Sequence, residues 1–206
     1  MRTLITQSLL SSWAYMFDCQ EGYEDEAMES FLKTLRREPT EQTDAMRQGI
    51  QFENGCYALA NNPDDLTVFP QWRSVSSKIA DIIRGGQIQV KIQRDLVIDD
   101  DEYLVYGICD AVKAGQIYDI KFTTSSLGSR DCYGKYIHSP QHPAYLYCLK
   151  EAYQFTYLLS DGNDLYTETY NRKTMEYTIS DYIANFRQDI RLRGLDDIYS
   201  EKWKAL

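Results

Sequence analysis

The stretch Tyr103-Leu-Val-Tyr-Gly-Ile-Cys-Asp-Ala-Val-Lys113, followed across Ala114-Gly115 by Gln116-Ile-Tyr-Asp-Ile-Lys-Phe122, decides the fold. Both runs are rich in β-branched and aromatic residues, and the dipeptide between them fits a tight turn. Just upstream, 87–98 (QIQVKIQRDLVI) alternates polar and apolar residues, and Asp99-Asp100-Asp101 supplies the turn into the next run. Three successive strands with short connections predict an antiparallel meander.

Outward from this meander the periodicity changes. Towards the amino terminus the spacing predicts helices over 6–17, 24–37, 43–61 and 73–84, for example with Ala27, Phe31 and Leu35 on one face. Gly85-Gly86 closes that helical half. Towards the carboxyl terminus, 123–139 has no strong period. A helix over 140–152, strands over 154–159 and 164–170, and a helix over 180–192 follow. This order predicts an α+β fold with helices packed on a central mixed sheet. We expect one domain over 1–206, with 1–85 mostly helical and 86–206 carrying the sheet.

Composition narrows the class. The chain is 43% hydrophobic and 26% charged, as in ordinary globular proteins. A net charge of −9 argues against a non-specific nucleic-acid coat protein, but a local groove can differ in sign from the whole surface. Seventeen tyrosines fit either a binding surface or half-buried sheet positions. The five cysteines, at 19, 56, 109, 132 and 148, form no CxxC pair, so zinc-ribbon spacing is absent, and three of them sit in apolar contexts. The start, MRTLITQSLLSSW, lacks the continuous apolar core of a secretory leader. No apolar run approaches the roughly 20 residues of a membrane span. The expectation is a cytoplasmic protein.

Within this frame four ionisable residues stand in segments that otherwise read as buried. On the third helix, positions 50, 53, 57 and 60 share a face, and Glu53 interrupts Ile50, Tyr57 and Ala60. Asp110 shares a strand face with Leu104, Tyr106 and Ile108. Asp119 and Lys121 lie side by side on the next strand, with Ile120 on the opposite face. Each has a plain structural reading: a rim glutamate, an edge aspartate, a chance Asp-Ile-Lys triplet. Taken together, three acids and a lysine in consecutive elements need a shared cause. Hard divalent cations supply one, because carboxylate oxygens bind them and the ion offsets the repulsion. A purely structural ion-pair cluster is the alternative. Downstream, Gln141 and Tyr145 are i,i+4 neighbours near a helix start marked by Pro140.

These residues resemble the RecB-like branch of the PD-(D/E)XK nuclease superfamily. Gly49-Ile-Gln-Phe-Glu53 matches the family's helical Gly-x-x-x-Glu, and Gly107-Ile-Cys-Asp110 its Gly-x-x-Asp strand. Asp119-Ile-Lys121 matches its Asp-x-Lys strand, and Gln141-His-Pro-Ala-Tyr145 its Gln-x-x-x-Tyr helix. The four motifs occur in the family's order over 49–145, and the helix from Ser8 to Cys19 is similar to its Ser-rich opening helix. The resemblance implies a restriction-endonuclease-like fold and an active site of Glu53, Asp110, Asp119 and Lys121. It also implies Mg²⁺ or Mn²⁺ on Asp110, Asp119 and the Ile120 carbonyl, with Glu53 completing the shell. Lys121 would position and help deprotonate the attacking water, and a cation beside it should depress its pKa. Gln141 and Tyr145 would contact the nucleic-acid backbone or orient the metal shell. Some relatives hold an iron–sulfur cluster on one early and three late cysteines. Cys19 matches the first, but nothing after Cys148 supplies the rest, so no cluster is expected.

The function expected from the resemblance is DNA hydrolysis from free ends, of the kind coupled to a single-strand annealing protein in phage recombination. An endonuclease of repair or restriction type, a catalytically idle binding module and a DNA-mimicking interaction protein are the alternatives. The chain carries no Walker-type loop, so unwinding would need a partner. Arg47 is a candidate phosphate contact, or a solvated helix residue. Lys135, Tyr136, His138 and Ser139 are candidates to line a substrate groove. With two histidines in all, zinc or Ser-His-Asp chemistry finds little support. A homo-oligomer would suit processive action.

Overall fold

The computed structural model describes residues 2–128 and 132–205; residues 129–131 of the aperiodic segment, like the two terminal residues, lie outside the described part. The elements are β1 (Thr3–Thr6), α1 (Gln7–Asp18), α2 (Glu24–Leu35), α3 (Asp44–Asn61), α4 (Arg73–Ile83), β2 (Gln87–Ile98), β3 (Asp101–Lys113), β4 (Gln116–Phe122), α5 (Gln141–Cys148), β5 (Gln154–Ser160), β6 (Leu165–Asn171), α6 (Ile179–Leu192) and α7 (Asp196–Lys202). The α+β expectation holds: a mixed six-stranded sheet runs β1-β3-β4-β5-β6, with β2 also on β3. β1 and α7 were not read from sequence. Their lengths, four and seven residues, are too short for a period to show. The helix expected over 140–152 is shorter, ending at Cys148.

Both meander turns are two-residue loops in the left-handed region. Asp99 and Asp100 have φ of 49° and 69°, Ala114 and Gly115 of 49° and 75°. This handedness matches the right-handed twist of the strands, and Asp and Gly tolerate it well. Two hydrophobic clusters sandwich the sheet. Ile117, Phe155 and Tyr157 face the cluster shared with α1, α2, α5 and α6, whereas Ile120 and Leu158 face the one under α3 and α4. Of the tyrosines, Tyr103, Tyr145, Tyr157, Tyr170, Tyr182 and Tyr199 are buried, so much of the high tyrosine count serves the interior. Cys56, Cys109 and Cys132 are buried too. Among the described residues no helix is long and apolar enough to cross a membrane.

β3 is the hub. One edge pairs with β2 over Asp101–Val112, skipping Asp110. The other pairs with β1 over Tyr103–Tyr106 and with β4 over Ala111–Lys113. Between them, residues 107–110 have no strand partner on that edge. The gap is partly closed by α5: the Tyr145 hydroxyl donates to the Ile108 carbonyl at 3.0 Å.

On the same helix His142 is 1% exposed, stacks on Tyr170 with centroids 4.1 Å apart, and lies 3.2 Å from the Tyr157 hydroxyl. Burial pushes its imidazole down to about 3. The native state therefore holds this ring neutral where the unfolded chain would protonate it. The associated stability is fully present above pH 6.5 and is lost as pH falls towards about 3, by a few kcal/mol in total. Urea unfolding at pH 7 and 4.5 should show a smaller acid loss for His142→Phe than for the wild type. Parallel pH profiles would contradict this account.

Candidate active site

The gap in the sheet is where the charged residues meet. Ladder pairing of β3 with β4 ends at Ala111 and Tyr118. One residue further, Asp110 Oδ2 accepts the Ile120 N–H at 2.7 Å, so a side chain replaces the partner strand. Across the other edge, the residue in register with Asp110 is Gln89, whose φ is +55°. A non-glycine residue rarely takes this conformation inside a strand, and such strain clusters at functional sites. It also breaks the alternation. Ile88 and Ala111 pack under α3 and α4, whereas Val90 and Cys109, two residues away, pack in the other cluster. The hairpin thus turns over at the level of Asp110.

Asp119 and Lys121 project from β4 as expected from their i,i+2 spacing. Asp119 is 2% exposed, and its Oδ1 accepts from the Gln141 amide. Its Oδ2 lies 2.6 Å from Lys121 Nζ but has no well-aligned hydrogen bond. Lys121 keeps 31% of its side chain in solvent. Burial pushes its ammonium down, but Asp119 and Asp110 outweigh burial and hold it above the usual lysine range. In this arrangement Lys121 is charged, which differs from the depressed pKa expected beside a cation. The difference follows from its partners here being carboxylates.

Glu53 approaches from α3, with a correction to its surroundings. The buried stripe of α3 is Phe52, Cys56, Leu59 and Ala60, and Ile50 is 45% exposed. Glu53 and Tyr57 flank this stripe on the side facing the gap. The Tyr57 hydroxyl donates to Glu53 Oε1 at 2.5 Å, and the Gln89 amide donates to the same oxygen at 3.1 Å and to the Tyr57 oxygen at 2.8 Å. Burial raises the Glu53 carboxyl, Tyr57 opposes that, and the Asp119 charge adds to the rise. Asp110 is raised well above the carboxylate range, by burial first and then by the charges of Asp119 and Glu53. Three acids that feel one another in a half-buried pocket repel, and an added cation would relieve that repulsion.

The all-oxygen donor set and the poorly satisfied Asp119 Oδ2 suit a hard divalent ion in chemistry. Among the described residues, however, no three His, Cys, Asp or Glu side chains already converge on one point. Each acid is engaged by the protein: Asp119 by Gln141 and Lys121, Asp110 by Ile120, Glu53 by Tyr57 and Gln89. An ion would have to displace the Lys121 contact.

Of the other candidates, Gln141 and Tyr145 are both 4% exposed and bond inside the protein, which suits orienting better than contacting a ligand. Ser139 Oγ accepts the Gln141 N–H at 3.3 Å, and Tyr136 stacks on Tyr157 with centroids 4.2 Å apart. Lys135 is exposed nearby. Arg47 is not drawn into the cluster: its bonds are to Asp44 and the Gln42 carbonyl, at the start of its own helix. Three residues were missed. Tyr57 sits one turn beyond Glu53, a spacing that signals contact, but its hydroxyl was read as part of an apolar stripe. Gln89 gave no sequence signal, since its role comes from strand pairing. Glu168, a buried acid on β6, was missed as well; it accepts the Tyr136 N–H at 3.2 Å and the Tyr170 hydroxyl.

No family profile matches the chain, and no curated protein does. Among solved structures, the crystal structure of SSO0001 aligns with a TM-score of 0.51 and 14% identity over 93% of this chain and 77% of that one. LHK-Exo in complex with dAMP gives 0.45 and 12% identity, over 94% and 92%. Rai1 from Scheffersomyces stipitis gives 0.41 and 14%, over 92% and 61%. The likeness to SSO0001 is one of fold alone.

Gly107 explains part of the Gly-x-x-Asp pattern. A Cβ there would lie 2.3 Å from Tyr145 Cε1. Gly107→Ala should therefore destabilise the protein by about 1–3 kcal/mol in urea unfolding. Because Tyr145 is the clashing group, Tyr145→Ala in the same chain should recover part of that cost. Strictly additive losses would show that the ring is not the cause. A Cβ at Gly49, in contrast, would meet nothing within 4 Å, and the structure gives no packing reason for that glycine.

Proposed function

We propose that this chain is a metal-dependent phosphodiesterase acting on nucleic acid, with DNA hydrolysis from free ends as its reaction. The observation that carries the reading is that Asp110, Asp119, Lys121 and Glu53 lie near enough to one another, around one break in the sheet, to feel each other's charge. All four motif positions that resemble the PD-(D/E)XK nucleases serve that one place. Gln141 holds Asp119, and Gly107 admits Tyr145 against the strand that carries Asp110. An ion-pair cluster of purely structural purpose would not need a strained Gln89 or an unpaired stretch of central strand.

In this reading Asp110, Asp119 and the Ile120 carbonyl would hold Mg²⁺ or Mn²⁺. A bound ion of this kind polarises the phosphoryl oxygen and lowers the pKa of water. The remaining steps belong to side chains. Lys121, released from Asp119, places its ammonium against the scissile phosphate and stabilises developing negative charge. Once its carboxylate partner is neutralised, Lys121 would more readily give its proton to solvent, and the neutral amine could then take a proton from the attacking water and become the ammonium that faces the phosphate. Glu53, clamped by Tyr57 and Gln89, is fixed at the rim where it can reach the ion directly or through water. Gln141 keeps the Asp119 carboxylate aimed at the gap. An endonuclease would use the same groups, so preference for ends is what separates the two readings.

With Mg²⁺, the protein should degrade linear DNA and leave circular and end-blocked DNA largely intact. Lys121→Ala and Asp119→Asn should each lower the rate by about 10²-fold or more. Undiminished activity of Lys121→Ala would sink the mechanism, and equal rates on circular and linear DNA would sink the end preference. Gln89→Ala should raise the Mg²⁺ concentration needed for half-maximal rate while the enzyme stays folded by circular dichroism. An unchanged requirement would remove Gln89 from the account.

A further inference from the structure

A trench opens between α1 and the segment leading into α5. It consists of two adjoining cavities of about 330 and 250 Å³, which share Ala14, Asp18 and His138 as walls. Tyr15, Lys135, Tyr136 and Ser139 flank the nearer cavity, and Phe17 and Tyr177 the farther.

The near end is linked to the carboxylate cluster by direct contacts. Asp119 lies in register with Tyr157 on β5, and Tyr136 stacks on Tyr157. Ser139 accepts the N–H of Gln141, whose side chain holds Asp119. Lys121, 31% of whose side chain is in solvent, also lies near enough to Tyr136 in the cavity wall for the two to interact electrostatically, so the nearer cavity borders the lysine. Tyr15 at the nearer cavity and Phe17 and Tyr177 at the farther are 53%, 59% and 42% exposed, an amount of ring surface that does no interior work.

The lining selects the occupant. A duplex shows phosphates on every side and needs a band of cations to replace their counterions. Among the described lining residues the cationic side chain is Lys135, while His138 lies 3.6 Å from Glu176 and Asp18 borders both cavities. Acids at the wall repel a phosphate backbone but not a base. Unpaired bases stack on aromatic rings whatever their sequence, and a backbone kept to the outer lip would meet Lys135.

We propose that the trench between α1 and residues 133–140 binds the unpaired bases of single-stranded nucleic acid next to the scissile phosphate. Tyr15, Phe17 and Tyr177 are its stacking surfaces. The inference rests on the phosphodiesterase reading for the strand's direction, but base binding can be measured without turnover.

The test uses the full chain in EDTA with a short fluorescein-labelled oligothymidylate, read by anisotropy. Tyr15→Ala combined with Tyr177→Ala should weaken binding about tenfold or more, and Tyr15→Phe should bind as the wild type does. An abasic strand with the same backbone should bind wild type and double variant equally. Magnesium-dependent cleavage of the abasic strand, which has no bases to stack, should be the same in both proteins. Unchanged oligothymidylate affinity in the double variant overturns the proposal. So does an equal loss on the abasic strand, or a variant that only dissociates a self-assembly seen by light scattering. A wild type that binds the oligonucleotide through these rings but cleaves no diester would sink the phosphodiesterase reading and leave the trench standing.

Discussion

The break in the edge pairing of β3 governs the rest of the structure. A central strand normally satisfies both edges with neighbours, and an unpaired buried backbone group is costly. Here β4 leaves β3 at Ala111 and β1 joins only at Tyr106, so the intervening residues need other partners. The Asp110 carboxylate takes the Ile120 N–H and the Tyr145 hydroxyl takes the Ile108 carbonyl. Both substitutes are side chains, which leaves room in the gap that a third strand would have filled. Gln89, in its left-handed conformation on the opposite edge, lets the hairpin turn over at the same level.

Charge gathers at the same level of the sheet. Asp119 and Glu53 raise the cost of ionising Asp110, Asp119 raises that of Glu53, and Lys121 is the cation that offsets both. A cluster of this kind stabilises a fold poorly, because desolvation of the charges offsets most of their attraction. Hydrogen bonds from Gln141, Tyr57 and Gln89 fix the acids without neutralising them. The strained backbone position beside them is Gln89.

The tyrosines link this centre to the surface. Tyr157 lies beside Asp119, Tyr136 stacks on it, and the exposed rings of α1 and Tyr177 continue outward. An overall negative chain can still hold nucleic acid this way, since stacking depends on π-faces rather than on net charge.

Much of this was legible in the linear chain. Strand alternation, two-residue turns and helical spacing marked most elements, because those periods are local properties of the backbone. The i,i+2 spacing placed Asp119 and Lys121 together, and charge in apolar runs singled out Asp110 and Glu53. What the chain could not show was pairing between distant segments. β1 is four residues long and exists through its parallel contact with β3. Gln89 reaches Glu53 from 36 positions away, and only strand register brings it there. The core stripe of α3 was misread by one residue, since apolar residues lie on two faces of that helix and only packing against β4 and α4 decides which is buried. Sequence thus singled out the charged residues of the candidate site. Tertiary structure decided what holds them, because a hydrogen bond across elements depends on a register that no local pattern encodes.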